Sequence, residues 1–122
     1  MAKRFEELDW AQTPIGEVSL RRRRDPVADV DVYEVKLNDE YLMSSLFTVV
    51  EEELARIGLA AIAGDDLTVV VGGLGLGYTA RAALEDPRVR ALTVVELVGV
   101  VITGYFWVLL PATAGLGSDR RV

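Results

Sequence analysis

The sequence predicts a small α/β protein: an N-terminal β-hairpin, a helix, one βαβ unit and a final apolar helix. Three observations carry this expectation. Leu67-Thr68-Val69-Val70-Val71 is an apolar, β-branched run of strand length, and Gly72-Gly73-Leu74-Gly75-Leu76-Gly77 follows it at once. Ala91-Leu92-Thr93-Val94-Val95 is a second such run, closed by Glu96. Between Val18 and Leu37, apolar residues are interleaved with charged ones on both sides of Asp25-Pro26, as in two half-buried strands joined by a turn.

In chain order, Met1 to Gln12 is polar, with Phe5, Leu8 and Trp10 unevenly spaced, and reads as a tail or irregular arm. Thr13-Pro14-Ile15-Gly16 punctuates the chain before the hairpin, whose connection spans roughly six residues. If Arg21 to Arg24 continue the first strand, Asp29, Asp31 and Glu34 on its partner offer the opposite charges. Cross-strand pairs of this kind contribute up to about 1 kcal/mol each. Asn38-Asp39 turns the chain into a short third strand at Tyr41-Leu42-Met43.

From Ser45 the period changes. Leu46, Val49, Val50, Leu54 and Ile57 fall at offsets of three or four, which puts them on one helix face. Ser44 or Ser45 suits the N-cap, and Gly58 or Gly64 the end. Glu51, Glu52 and Glu53 are consecutive, so they diverge around the helix and form a solvated face, with no metal site expected. A second helix is expected from Tyr78 to Glu85, ended by Asp86-Pro87 because proline cannot continue it.

Composition narrows the chemistry. The chain has 122 residues, 51% hydrophobic and 26% charged, which suits one globular domain with a core. A net charge of -6 argues against a nucleic-acid surface, which needs clustered positive charge. With no cysteine and no histidine there are no disulfides, no thiolate metal sites, no thiol nucleophile and no imidazole base. Met1-Ala2-Lys3-Arg4 leads into acidic residues without an apolar core behind it, so no secretory signal is expected and a cytoplasmic location is.

The glycine-rich turn between two parallel strands points to a nucleotide or nucleoside. Glycines let main-chain N–H groups approach a ligand, the following helix N-terminus favours negative charge, and a carboxylate about 20 residues on can accept from ribose hydroxyls. Gly77 to Glu96 is 19 positions. The candidate binding residues are therefore Gly73, Gly75 and Gly77 in the turn and Glu96 on the ribose. No Gly-Lys-Ser or Gly-Lys-Thr closes the turn, which excludes a P-loop. Gly75-Leu76-Gly77-Tyr78-Thr79-Ala80 satisfies G-x-G-x-x-A, but it starts four residues past Val71, so NAD is the runner-up. The frame Gly73-x-Gly75-x-Gly77 fits an S-adenosyl compound better.

Val69 to Gly77 with Glu96 resembles the glycine-rich motif of the spermidine synthase-like branch of the S-adenosylmethionine-dependent methyltransferases. Thr13-Pro14-Ile15-Gly16-Glu17 and Val32 to Glu40 resemble that branch's N-terminal hairpin, and the likeness runs from Phe5 to Glu96, about three quarters of the chain. It implies an N-terminal arm and hairpin over 1–44 and, over 45–122, a truncated Rossmann-like (methyltransferase-type) βαβα unit. It also implies S-adenosylmethionine, or a related adenosyl thioether, on Gly73, Gly75, Gly77 and Glu96. Aminopropyltransferases carry an aspartate where this chain has Gly75 and a glutamine where it has Met43, and their tyrosine-histidine pair has no counterpart among Val49, Val50, Glu51 and Glu52. The expectation is donor binding without a catalytic half, methyltransferase- or aminopropyltransferase-like only if a complete site is assembled.

From Leu97 to Ser118 there is no charged residue, and Val98 to Leu110 is almost continuously apolar. Pro111 and the glycines at 99, 104, 115 and 117 break it, so a buried helix is expected rather than a membrane span. A third strand is expected to begin at Val122. Two parallel strands leave much apolar surface uncovered, and homo-oligomerisation through Val98 to Leu110 is the expected remedy. The rival reading is a non-catalytic self-associating module whose glycine turn is a relic.

Overall fold

The computed structural model describes residues 4–73, 75–96 and 119–122. It divides into two compact units, Met1–Phe47 and Thr48–Val122. The first is an antiparallel sheet of four strands in chain order, β1 (Phe5–Thr13), β2 (Gly16–Asp25), β3 (Val30–Leu37) and β4 (Glu40–Ser44). The second contains α1 (Val49–Ala60), β5 (Leu67–Gly72), α2 (Tyr78–Leu84) and β6 (Val89–Val95), with β5 and β6 paired in parallel. The mixed α/β class and the βαβ order are as the sequence predicts.

The N-terminal arm is not irregular: residues from Phe5 onward form β1. Their uneven apolar spacing comes from a bulge, because the β1–β2 register shifts between Glu7 and Asp9. One extra residue there moves the period-2 alternation by one place, so Phe5 and Trp10 fall on the same face despite odd and even numbers. The β2–β3 connection is also shorter than expected, four residues from Pro26 to Ala28 and Asp29, because all four arginines belong to β2. Asp25 Oδ1 accepts from the amides of Val27 and Ala28 at 3.0 and 2.8 Å and fixes that turn.

Leu20 is fully buried on one face of this sheet with Val18 and Val35 buried beside it, and Val32 is fully buried on the other face. Glu34, only 6% exposed, lies on the same face as Val32. Its Oε1 accepts from Arg21 Nε at 3.2 Å and from Arg23 Nε at 2.9 Å. The Arg21 guanidinium lies between the rings of Phe5 and Tyr41, 5.3 and 4.8 Å from their centroids, and also donates to the Tyr41 hydroxyl. Arg22 meets Glu6 at 2.8 Å and Asp31 at 3.6 Å, and Arg24 meets Asp29 at 2.8 Å and Asp31 at 3.4 Å. Asp29, Asp31 and Glu34 pair with the arginines as anticipated, and Glu6 and Asp25 join them.

The helix α1 starts later than the sequence suggests. Ser45 Oγ accepts from the Tyr33 amide at 2.8 Å and Ser44 Oγ from the Leu46 amide at 3.1 Å, so both hydroxyls serve the end of the sheet. Thr48 is the N-cap, with its hydroxyl on Glu52 Oε1 at 2.8 Å. The helix runs through Gly58 and ends at Ala60. Its apolar face does not become core: Val50, Leu54 and Ile57 are 81%, 68% and 67% exposed, and Ala55 is the buried residue of the helix.

Candidate functional site

The strand β5 ends at Gly72, and the turn that follows is made from left-handed backbone. Gly73, Gly75 and Gly77 have φ of +95°, +52° and +90°. A β-carbon is disfavoured at each of these angles, which is why glycine alternates through the turn. Gly77 is buried and is the N-cap of α2, its carbonyl accepting from the Arg81 amide at 2.9 Å. Ala80, Ala82 and Ala83 are buried on α2, so small side chains let this short helix pack closely within its unit. Leu74 lies outside the described residues.

Glu96 follows the last residue of β6. The Gly73 amide donates to the Val95 carbonyl at 2.7 Å, which ties the first turn of the glycine loop to the residue before Glu96. Gly72 and Val95 are register partners, so the parallel strands stop at the same level. The four candidate residues therefore sit together, at the carboxyl ends of two adjacent parallel strands. Ligands of open α/β sheets bind outside that end.

Two acid-arginine devices hold this arrangement from below, and the sequence reading missed both. Asp86 accepts from the amide and guanidinium of Arg88, whose Nη atoms reach the Leu59 and Ile62 carbonyls at 2.8 and 2.7 Å and close the C-terminal end of α1. Asp119 accepts from Arg121 in the same way, and Arg121 Nη1 reaches the Leu84 carbonyl at the end of α2 at 3.0 Å. Both arginines then hand their carbonyls to a strand: Leu67 N donates to Arg88 at 2.7 Å, and Leu92 N to Arg121 at 2.6 Å. The signal was a repeated tetrapeptide, Asp86-Pro87-Arg88-Val89 and Asp119-Arg120-Arg121-Val122. By this equivalence Val122 stands beside β6 where Val89 stands beside β5.

The hydrogen bonds from the Arg121 side chain, then its amide, hold the Asp119 carboxyl down from 3.8 to about 2. Asp86 is lowered by Arg88 for the same reason. Asp25 is lowered too, first by the Ala28 amide and then by Arg23.

A groove of about 440 Å³ lies beside β5, lined by Leu54, Gly58 and Leu59 of α1, by Ile62 beyond its end, by Thr79 and Ala83 of α2 and by Val69 and Val70. It is apolar and offers no acid or base. Glu52 and Glu53 are engaged with Arg56 at 3.2 and 3.0 Å, and Arg56 also reaches Glu85 at 3.4 Å. Among the described residues no group of three acidic side chains converges as a metal site would, and no helix is long and apolar enough to cross a membrane. The expected Val98 to Leu110 helix lies outside the described residues.

No protein-family model matches the chain, and no curated protein matches it. Solved structures do. Spermidine synthase from Thermotoga maritima is similar over 94% of this chain and 38% of its own, with a TM-score of 0.74 and 20% identity. A spermidine synthase solved in complex with the transition state analogue AdoDATO is similar over 94% of this chain and 37% of its own, with a TM-score of 0.73 and 20% identity. The chain spans less than two fifths of the length of either, and its fold is that of an N-terminal portion of a spermidine synthase-like protein.

Proposed function

We propose that the chain binds S-adenosylmethionine or a related adenosyl thioether, as the donor-binding portion of a truncated Rossmann-like, methyltransferase-type βαβα unit. The observation that carries this reading is the meeting of Gly73, Gly75 and Gly77 with Glu96 at the carboxyl ends of β5 and β6. The turn brings main-chain amides close to a ligand without side chains in the way, and the Glu96 carboxylate accepts from the two ribose hydroxyls. The helix α2 has only seven residues, so the loop amides contribute more than any helix dipole. The neighbour solved with a transition state analogue supports a small-molecule ligand on this fold. Transfer chemistry requires groups from outside the described residues, and the acceptor is left to them.

The arginine pairing in β2 supports a protein that does not bind nucleic acid, because Glu6, Asp25, Asp29, Asp31 and Glu34 meet the positive charge. A cytoplasmic location and homo-oligomerisation through Val98 to Leu110 complete the reading. A second reading, a non-catalytic self-associating module, is favoured by one observation: the exposed apolar face of α1.

Isothermal titration of the full chain with S-adenosylmethionine, methylthioadenosine and NAD tests the proposal. Micromolar binding of the adenosyl thioethers, weakened about tenfold in Glu96→Ala by loss of the ribose hydrogen bonds, is the expected result. Preference for NAD would move the assignment to a dinucleotide. Absence of heat with all three, from a folded chain, would leave the second reading.

A further inference from the structure

We infer that Glu51 is a further binding residue of the adenosyl site, its carboxylate meeting a cationic group on the tail that the ribose's exocyclic carbon carries. The inference rests on the adenosyl reading and adds to it the charge of the tail.

Contacts within the second unit set α1 alongside α2 and in the same direction. Thr79, in the first turn of α2, donates its hydroxyl to the carbonyl of Glu51, in the first turn of α1, at 2.8 Å. Further along α1, Arg56 reaches Glu85 at the C-cap of α2 at 3.4 Å. Arg88, beyond α2, reaches the Leu59 and Ile62 carbonyls at the far end of α1. The crossover helix of a parallel pair runs back against its strands, so its N-terminus stands at their carboxyl ends. The first turn of α1 therefore stands at that end too, at the level of the glycine turn and Glu96.

The order across this end follows from the packing. The groove beside α1 is lined by β5 and by Thr79 and Ala83 of α2, so α1 flanks α2 on the β5 side. Glu96 at the end of β6, the glycine turn at the end of β5 and Glu51 at the start of α1 thus follow one another. A ribose whose hydroxyls are held by Glu96 turns its exocyclic carbon away from that carboxylate. Its tail then passes over the glycine turn toward α1.

Of the three consecutive glutamates, Glu51 is the one whose charge is not spent inside the unit. Glu52 accepts from the Thr48 hydroxyl at 2.8 Å and from Arg56 at 3.2 Å, and Glu53 accepts from Arg56 at 3.0 Å. Among the described residues no cation lies within ion-pair distance of Glu51, which is half-buried. Ala55, one turn on, is the buried residue of α1, so the face Glu51 shares with it is turned into the unit. Helical side chains lean toward the helix N-terminus, which carries the Glu51 side chain toward the ligand end. A partly desolvated carboxylate attracts a cation more strongly than a fully hydrated one. A sulfonium or ammonium on the tail has the matching charge, whereas the phosphates of a dinucleotide would be opposed.

Isothermal titration of the full chain and of Glu51→Gln tests this with two ligands, methylthioadenosine, whose tail is uncharged, and S-adenosylmethionine, whose tail carries net positive charge. Glu51→Gln is expected to weaken S-adenosylmethionine about fivefold and to leave methylthioadenosine within about twofold of the wild type. Glu52→Gln, on the same turn, should leave the ratio of the two affinities unchanged. Equal weakening of both ligands in Glu51→Gln would make Glu51 a structural group and overturn the inference. So would an unchanged affinity for S-adenosylmethionine, or a wild type that binds methylthioadenosine alone. In each of these cases wild-type binding of methylthioadenosine keeps the adenosyl reading, while a wild type that binds neither ligand ends both.

Discussion

In β2 each of four consecutive arginines meets a carboxylate, whereas along α1 a stripe of valine, leucine and isoleucine stands open to solvent. The two regions carry opposite kinds of surface. The antiparallel sheet turns a risky feature, four adjacent like charges, into cross-strand pairs supplied by β1, β3 and the β2–β3 turn. The parallel unit satisfies its helix ends from within, through Arg88 and Arg121, while Val50, Leu54 and Ile57 of α1 are exposed. Polar completeness and apolar completeness are thus separate achievements. Among the described residues the first is reached in both units, and the second is not reached along α1.

Substitutions can break this contrast at chosen points. Glu34→Ala removes the acceptor shared by Arg21 and Arg23 and leaves two partly buried guanidinium groups without it. A loss of about 3 kcal/mol is expected in urea unfolding, read through hydrogen exchange of β2 and β3 so that the first unit is followed by itself. Arg88→Ala strips three carbonyls near the end of α1 of their donor, against one at the end of α2 in Arg121→Ala. The first should destabilise the unit more than the second, and equal losses would deny that the guanidinium contacts set the difference.

Glycine substitutions sharpen the account of the turn. Neither Gly72 nor Gly73 has an atom within 4 Å of an added β-carbon, but only Gly73 has a left-handed φ, +95°. Gly73→Ala should therefore cost about 1 kcal/mol from backbone strain alone, while Gly72→Ala in the strand should be neutral or slightly stabilising. The smallest effect is that of acid. Asp25, Asp86 and Asp119 have folded pKa values below their unfolded ones, so their contribution is fully present above about 3.8 and is lost as pH falls through the folded values, down to about 2 for Asp119. A thermal melt series from pH 5 to pH 2 should show a decline that is shallower in Asp119→Asn, because that variant has already lost the titrating group.

Much of the C-terminal unit was legible because buried parallel strands are written as unbroken apolar runs. Leu67 to Val71 and Ala91 to Val95 could hardly be anything else with glycines and Asp86-Pro87 between them. The four candidate residues were legible for the same reason, as the turn and the acid lie at the ends of those runs. β1 was hidden by its bulge, which destroys the alternation that marks a strand. The start of α1 was misplaced because Ser44 and Ser45 have the right chemistry for a cap but spend it on neighbouring backbone amides. The period of α1 correctly gave a helix, yet period alone cannot say whether an apolar face finds a partner. Asp-x-Arg-Val was too short to notice until both copies were seen making the same hydrogen bonds.

The central claim is that an adenosyl ligand is held by the glycine turn and Glu96. Amide-resolved NMR of the isotopically labelled chain, titrated with methylthioadenosine, tests it most directly. The account predicts saturable shifts concentrated at Gly73, Gly75, Gly77 and Glu96, with the amides of β2 and β3 unmoved. Saturable shifts centred instead on Leu54, Gly58 and Val70 would place the ligand in the apolar groove and contradict the claim, as would a spectrum unchanged at millimolar ligand.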